Sequence, residues 1–246
     1  MTCVPDQPTG SAVASQRRRR TGPTACLLAV ILFSCGGTEP PPEPTPPSPA
    51  VPVWPDGTCL AVGEIPLATA DIDRIGAWIA LIKPADTQPA LRRQALTHTL
   101  LERAALASRY ATEREAAHTS AMELLARLTA DETAPEGVES GSVSGTWDDL
   151  GLVVWGETRE LDTDSWSGPI EDAGRWLLLR RTEHTPGLAP GADLYKVDLI
   201  SLPFVPSDFT RADVEATIDD SLLTVIDPAW GDLVPAQWRL RMNGPE

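Results

Sequence analysis

The stretch TADIDRIGAWIALIKP, residues 69–84, decides how the chain begins to fold. Its bulky apolar side chains recur every three or four positions, which is the spacing of one buried face on an α-helix: Ile72, Ile75, Ile79 and Ile82. The pattern predicts a helix that starts near Thr69 and ends before Pro84, because a proline ring interrupts helical hydrogen bonding. The apolar residues 59–62 just before it predict a short buried strand, in which Cys59 is an inert packed thiol.

Two further helices are expected after Pro84. One opens at Thr87, with Pro89 in its first turn, and carries a stripe of small and apolar residues: Leu96, Leu100, Ala104, Ala107 and Ala111. The other starts at Thr112, because Thr112-Glu113-Arg114-Glu115 has the form of a capping box. Its buried face continues through Ala117, Ala121, Leu124 and Leu128.

The pattern changes beyond residue 129. Residues 130–145 are rich in Gly, Ser and Glu and predict a flexible acidic loop, because they offer little apolar surface to bury. Strands are predicted at residues 152–155, 166–170, 175–181 and 195–204, with a hairpin turn at residues 171–174. Residues 210–223 predict a helix. The fold class is therefore α+β, with the helices first.

The beginning of the chain has the features of export and anchoring. A run of arginines at residues 17–20 and an apolar run at residues 25–33 precede Leu32-Phe33-Ser34-Cys35, which resembles a lipobox. Residues 1–34 are predicted to be a lipoprotein signal peptide, with Cys35 as the lipidated residue. Nine of the sixteen residues from 40 to 55 are proline, which predicts an extended stalk over residues 35–58. A plain signal peptide or a buried apolar helix is the alternative for residues 25–33.

Charge and composition exclude several classes of protein. The formal net charge is −15 at pH 7, which argues against a partner with a phosphate backbone, so no nucleic acid is expected. The three histidines, His98, His118 and His184, have no cysteine or carboxylate at metal-ligand spacing and are interpreted as solvated surface residues. Neither a metal nor a cofactor is expected.

Two stretches resemble the SurA-type and parvulin-type peptidyl-prolyl isomerases, which hold unfolded envelope proteins and isomerise X-Pro bonds. The first is residues 62–128, which includes Gly63-Glu64-Ile65-Pro66-Leu67 and Leu100-Leu101-Glu102-Arg103. The second is Ser167-Gly168-Pro169-Ile170-Glu171 followed by residues 174–180, which resemble the hairpin that ends a parvulin domain. The resemblance implies a three-helix SurA-like segment at residues 59–129. It also implies a small, truncated parvulin-like antiparallel sheet at residues 146–246, with a C-terminal helix.

The chain departs from the family where catalysis is concerned. Trp176 stands where the hairpin of a parvulin usually has a histidine, and residues 129–146, where a second family histidine is expected, contain none. An isomerase must stabilise a twisted prolyl amide against a barrier of about 18–20 kcal/mol. The resemblance therefore implies a degenerate member with weak or no isomerase activity and no catalytic residue.

The second half of the chain is rich in tryptophan, and Trp155, Trp166 and Trp176 are the candidate peptide-binding residues. Neighbouring strands would bring these three side chains together, and indoles offer large, rigid contact surfaces; ordinary core packing is the alternative. The expected partners are unfolded or extended polypeptide clients and, through the lipid anchor, a membrane. Gly36 in place of an aspartate favours the periplasmic face of the outer membrane. A peptidoglycan- or glycan-binding lipoprotein and a structural envelope subunit are the competing hypotheses.

Overall fold

The structure, a computed structural model, describes residues 52–130 and 137–243, and within these ranges the fold is mixed α+β. The strands are β1 Thr58–Val62, β2 Ile65–Ala68, β3 Glu139–Gly145, β4 Ile170–Asp172, β5 Arg175–Thr185, β6 Leu194–Pro203, β7 Leu223–Val225 and β8 Met242–Asn243. The α-helices are α1 Thr69–Ile82, α2 Gln88–Ala95, α3 Leu101–Arg109, α4 Ala111–Thr129, α5 Trp147–Leu150, α6 Leu152–Glu160, α7 Arg211–Asp219 and α8 Ala236–Arg239. Short 3₁₀ turns lie at Pro190–Ala192 and Pro228–Leu233.

The first sheet joins the two ends of the described chain. Its strand order is β2-β1-β7-β8, with β1 antiparallel to both of its neighbours and β8 parallel to β7. Val62 at the end of β1 lies opposite Leu223 at the start of β7, and both side chains are fully buried. The pairing places the beginning and the end of the fold in one layer.

The second sheet is antiparallel, with the strand order β3-β6-β5-β4. The predicted strand at residues 175–181 is confirmed and extends to Thr185 as β5. The predicted hairpin turn is also confirmed: Asp172 pairs with Arg175 across Ala173 and Gly174, which both have positive φ angles, 25° and 86°. Such angles are typical of a tight hairpin connection, and glycine adopts them without steric cost.

The three predicted helices of the first half are confirmed, with two changes. The second is divided by a π-helical turn at Leu96–Leu100, between α2 and α3. The capping box predicted at Thr112 is wrong, because α4 begins at Ala111 and its N-cap residue, Tyr110, makes no side-chain capping bond. Thr112 therefore lies inside the first turn, where it is no longer the residue that caps the helix.

Three further differences concern the second half. Residues 152–155, predicted as a strand, form the start of α6, because a short apolar run fits a buried helix as well as a strand. The region predicted as a loop at residues 130–145 contains β3 at Glu139–Gly145, which is ordered by pairing with β6 rather than by burial. Within residues 166–170, Trp166 makes only an isolated bridge to Arg180, and β4 begins at Ile170.

One large hydrophobic core extends through both halves of the described chain. Ile72 and Leu100 from the first half belong to the same cluster as Trp155, Leu177 and Tyr195 from the second, and all five are almost completely buried. Two smaller clusters lie beside it, one around Trp176 and Phe204 and one around Leu178 and Ile200. Within residues 52–130 and 137–243, no helix combines the length and apolarity that crossing a bilayer requires.

Candidate functional site

The structure places the three candidate tryptophans in three different hydrophobic clusters. Trp155 lies on helix α6, with none of its surface exposed, and its Nε1 donates to the carbonyl of Asp193 at 3.4 Å. Trp166 is half-buried beside Leu178, and the Arg180 guanidinium lies 5.0 Å from the centre of its ring. The expectation that neighbouring strands bring the three together is wrong, because Trp155 belongs to a helix.

Trp176 on β5 is the candidate that lies under an open surface. It is 8% exposed, and its Nε1 donates to the carbonyl of Arg114 on α4 at 3.0 Å. Its buried neighbours are Leu106, Ala121 and Phe204. The indole thus fixes α4 against the second sheet, and the four side chains form a small core between them.

A groove lies above this small core, between α4 and the chain that leaves β6. It encloses roughly 500 Å³ of open space. Its lining residues are Tyr110, Glu113, Ala116, Ala117, Ser120, Pro203, Phe204, Val205 and Pro206. We call it the α4 groove.

The two walls of the α4 groove follow from the local sequence. On α4 the lining residues are spaced three or four positions apart, so they share one helix face, and Ala116, Ala117 and Ser120 keep that face shallow. The opposite wall is the sequence Pro-Phe-Val-Pro at residues 203–206, in which each proline fixes φ and lacks a backbone donor. The walls therefore present apolar surface of fixed shape.

Charged contacts hold the wall on α4 in place. Arg114 binds Glu171 on β4 through two hydrogen bonds of 2.8 Å, and its guanidinium lies 5.2 Å from the centre of the Trp176 ring. The hydrogen bond to Glu171 raises the pKa of Arg114 above its ordinary value. The pair is mostly screened from solvent, with 26% and 12% of the two side chains exposed.

The chemistry of the α4 groove is that of a binding surface. Of its lining residues only Tyr110 and Glu113 are ionisable, and Tyr110 packs edge-on against Phe209 with ring centres 5.7 Å apart. No nucleophile with an adjacent base lines the groove. Apolar walls with few polar groups suit the side chains of an extended peptide.

The three histidines differ in their surroundings. His98 is exposed, as expected for a surface residue. His184 is also exposed, but it stacks on Tyr195 with ring centres 4.8 Å apart. The expectation of a solvated residue is wrong for His118, which is half-buried and packs against the Trp176 indole, with 4.6 Å between ring centres. Residues 52–130 and 137–243 contain no group of three potential ligands that could hold a metal ion.

Of the two cysteines that carry predictions, only Cys59 lies within the described residues. Cys35, the predicted lipidation site, lies outside the described residues, as do the signal peptide and most of the stalk. Cys59 is 1% exposed on β1, and burial raises the pKa of its thiol, which favours the unreactive protonated form. The buried position predicted for Cys59 is confirmed.

Sequence reasoning did not find the α4 groove. Tyr110 and Phe204 lie far apart along the chain, and only the packing of α4 on the second sheet brings them to one surface. The one local signal was the pair of prolines that brackets Phe204 and Val205 directly after a strand.

A scan against protein-family models, a search of curated proteins and a search of solved structures gave no significant match to this chain.

Proposed function

We propose that the chain is a lipid-anchored periplasmic folding factor, or peptide-binding module, related to the SurA and parvulin peptidyl-prolyl isomerases and with weak or no isomerase activity. The observation that carries this proposal is the α4 groove, an open and mostly apolar groove of roughly 500 Å³ with only two ionisable lining residues. Such a surface can hold an extended apolar segment of a client without chemical change.

Two features of the fold support the proposed relationship. The first is the hairpin β4–β5, which forms at the residues that resemble the end of a parvulin domain. The second is the pairing of β1 with β7, which joins the helical first half to the end of the chain as a SurA-type core would require. In this proposal, residues 146–246, which contribute β4, β5 and β6 to the second sheet, are the truncated parvulin-like part.

Burial of the tryptophans weighs against the glycan-binding alternative. All eight tryptophans lie within the described residues and none of them is exposed. A platform for sugar rings needs open indole faces, whereas Trp155, Trp230 and Trp238 are each at most 4% exposed.

The proposal is tested by light scattering from an aggregating client. Reduced insulin aggregates and scatters light. The scattering should decrease when the full-length protein is added in detergent micelles at submicromolar concentration. Micelles that contain bovine albumin at the same concentration are the control. Undiminished scattering would contradict the proposal, and co-sedimentation with purified sacculi in the same preparation would favour the wall-binding alternative.

A further inference from the structure

Among the described residues, no further strand pairs with the outer edge of β3, which is a terminal strand of the second sheet. Glu139–Gly145 pairs with β6 alone, and its seven residues lie opposite Ser201 to Tyr195 without a break in register. Among the described residues, no hydrogen bond outside the sheet ladder involves the backbone of β3. In an antiparallel pair every second residue directs its N–H and C=O away from the partner strand, so the outer edge of β3 offers a row of free donors and acceptors.

Between Glu139 at its start and Gly145, which α5 covers at its end, β3 lacks the features that usually protect an edge. Its sequence is ESGSVSG, which contains no proline and no lysine, and the strand has no bulge. Ser140, Ser142 and Ser144 alternate with Gly141 and Val143, and all five are exposed. A Cβ at Gly141 would have no atom within 4 Å, so the face of the strand to which it would point is open there.

Carboxylates lie at both ends of β3. Glu139 begins the strand and Asp148 follows it on α5, and neither forms an ion pair within the described residues. Asp149 adds a third carboxylate, which accepts a hydrogen bond from the N–H of Thr146 at 3.0 Å. Opposite charges across an interface speed association and discriminate between partners.

A second copy of the chain fits this edge poorly. Antiparallel pairing of two β3 strands about Ser142 would bring Glu139 of one copy beside the acidic end near Asp148 of the other. Each copy also has a formal net charge of −15. Like charges so placed oppose the pairing.

We propose that β3 is a strand-addition surface, which binds an extended, positively charged segment of another polypeptide as a fifth strand of the second sheet. Six exposed residues, 139–144, at about 3.4 Å each give an edge of roughly 20 Å, so the bound segment has about five or six residues. Main-chain hydrogen bonds supply the affinity, and the small side chains on β3 allow segments of different sequence to bind. The inference deepens the proposed function, on which its biological meaning rests, because strand addition is a way to hold unfolded clients.

The test uses a defined peptide and the full-length chain in detergent micelles. The probe is a fluorescein-labelled nine-residue peptide with a lysine at each end and alternating threonine and valine between them. Binding is measured by fluorescence anisotropy, and the site by hydrogen exchange of the backbone amides. We expect slower exchange in residues 139–145 when the peptide is bound.

Two altered peptides separate strand addition from other contacts. Methylation of the seven central amide nitrogens removes the donors of the peptide and keeps its side chains, so its affinity should fall at least tenfold. Glutamate in place of both lysines should weaken binding several-fold, and added salt should reduce that difference. Equal affinity of the methylated peptide would overturn the inference, as would protection confined to another segment.

A pair of protein variants locates the site independently. Ser142→Lys places a positive charge on the open edge and should weaken binding at least tenfold, whereas Thr119→Lys adds the same charge on an exposed position of α4 and should leave binding unchanged. Equal effects of both variants would contradict the inference. So would a concentration-dependent dimer, detected by sedimentation, in which the amides of β3 are already protected.

The inference and the proposed function can fail separately. Suppressed insulin aggregation without peptide-induced protection of residues 139–145 would refute strand addition and leave the folding-factor proposal intact. Protection of these residues by the peptide without suppressed aggregation would refute the folding-factor proposal and leave strand addition intact.

Discussion

Val62 on β1 lies directly opposite Leu223 on β7, and it is one of three residue pairs that join the first strand of the fold to its last third. Neither side chain exposes any surface. The helical first half is therefore completed by residues from the end of the chain, because β7 pairs with β1 and α7 packs on α3. The second sheet is contributed by the chain between these two parts.

Shortening Leu223 tests the packing of β7 against β1. Leu223→Ala leaves a cavity beside Val62 and should lower the free energy of unfolding by about 2–5 kcal/mol, measured by urea denaturation. Leu222→Ala is the matched control, because Leu222 is 55% exposed and its shortening should change stability by no more than about 0.5 kcal/mol. Similar small effects of both changes would show that the two ends of the chain are not packed as described.

Two buried helical glycines should respond differently to replacement by alanine. At Gly156 on α6, a Cβ would lie 2.3 Å from the Trp78 ring, so Gly156→Ala forces the indole to move. Overpacking costs about 1–3 kcal/mol and outweighs the gain of roughly 1 kcal/mol from better helix propensity. At Gly76 on α1, the nearest atom would be 3.7 Å away, so Gly76→Ala should keep that gain.

Thermal unfolding of the two glycine variants provides the comparison. The melting temperature should fall for Gly156→Ala and stay equal or rise for Gly76→Ala. A rise for both would mean that α6 does not approach Trp78 closely.

The Asp73–Arg92 pair predicts part of the acid sensitivity of the fold. Arg92 binds Asp73 through hydrogen bonds of 2.7 and 2.8 Å, and this contact lowers the pKa of Asp73 below its ordinary value in the folded state. The unfolded chain then binds the proton more readily, so the contribution is fully present above about pH 4 and is lost as the pH falls through the lowered pKa. In Asp73→Asn, stability should decrease less steeply between pH 5 and pH 2.

The control for this titration is a neighbour on the same helix. Asp71 is exposed and forms no ion pair within the described residues, so Asp71→Asn should retain the steeper acid sensitivity of the parent chain. Urea denaturation at several pH values measures both variants. Identical slopes for Asp73→Asn and the parent would contradict the contribution of the pair.

The chain is expected to show no prolyl isomerase activity above buffer in a protease-coupled peptide assay. The lining of the α4 groove offers only Tyr110 and Glu113 as ionisable groups, and the imidazole of His118 is packed against Trp176. Clear turnover by the full-length chain would contradict the prediction. Loss of such turnover in His118→Ala, with turnover retained in His98→Ala, would then identify the imidazole responsible.

How far the sequence predicts this fold depends on the kind of signal. The helices α1 and α4 and the hairpin β4–β5 follow from periodicity and turn residues, which act over a few positions. The sequence predicts a strand where α6 begins because Val153, Val154 and Trp155 are consecutive and all buried, and a short apolar run of this kind shows no helical periodicity. Strand β3 was missed because its order comes from β6, which lies some fifty residues further along the chain.

The candidate site was harder to predict than the fold. Trp176 was singled out, and it does lie beneath the α4 groove, but the side chains that form the groove come from α4 and from residues 203–206. Small residues such as Ala116 and Ser120 give no local sign of a binding surface. Their role depends on the distance between α4 and the chain after β6, which only tertiary packing determines.

Filling the α4 groove with a bulky side chain is the most direct test of the proposed function. Ala116→Trp places an indole on the exposed helix face that lines the groove, whereas Ala126→Trp makes the same change on an exposed position about 15 Å further along α4. Both variants should unfold at the same urea concentration as the parent chain. With reduced insulin as client, Ala116→Trp should suppress aggregation at least fivefold less well than the parent, and Ala126→Trp equally well. Full suppression of aggregation by Ala116→Trp would show that the groove does not hold clients.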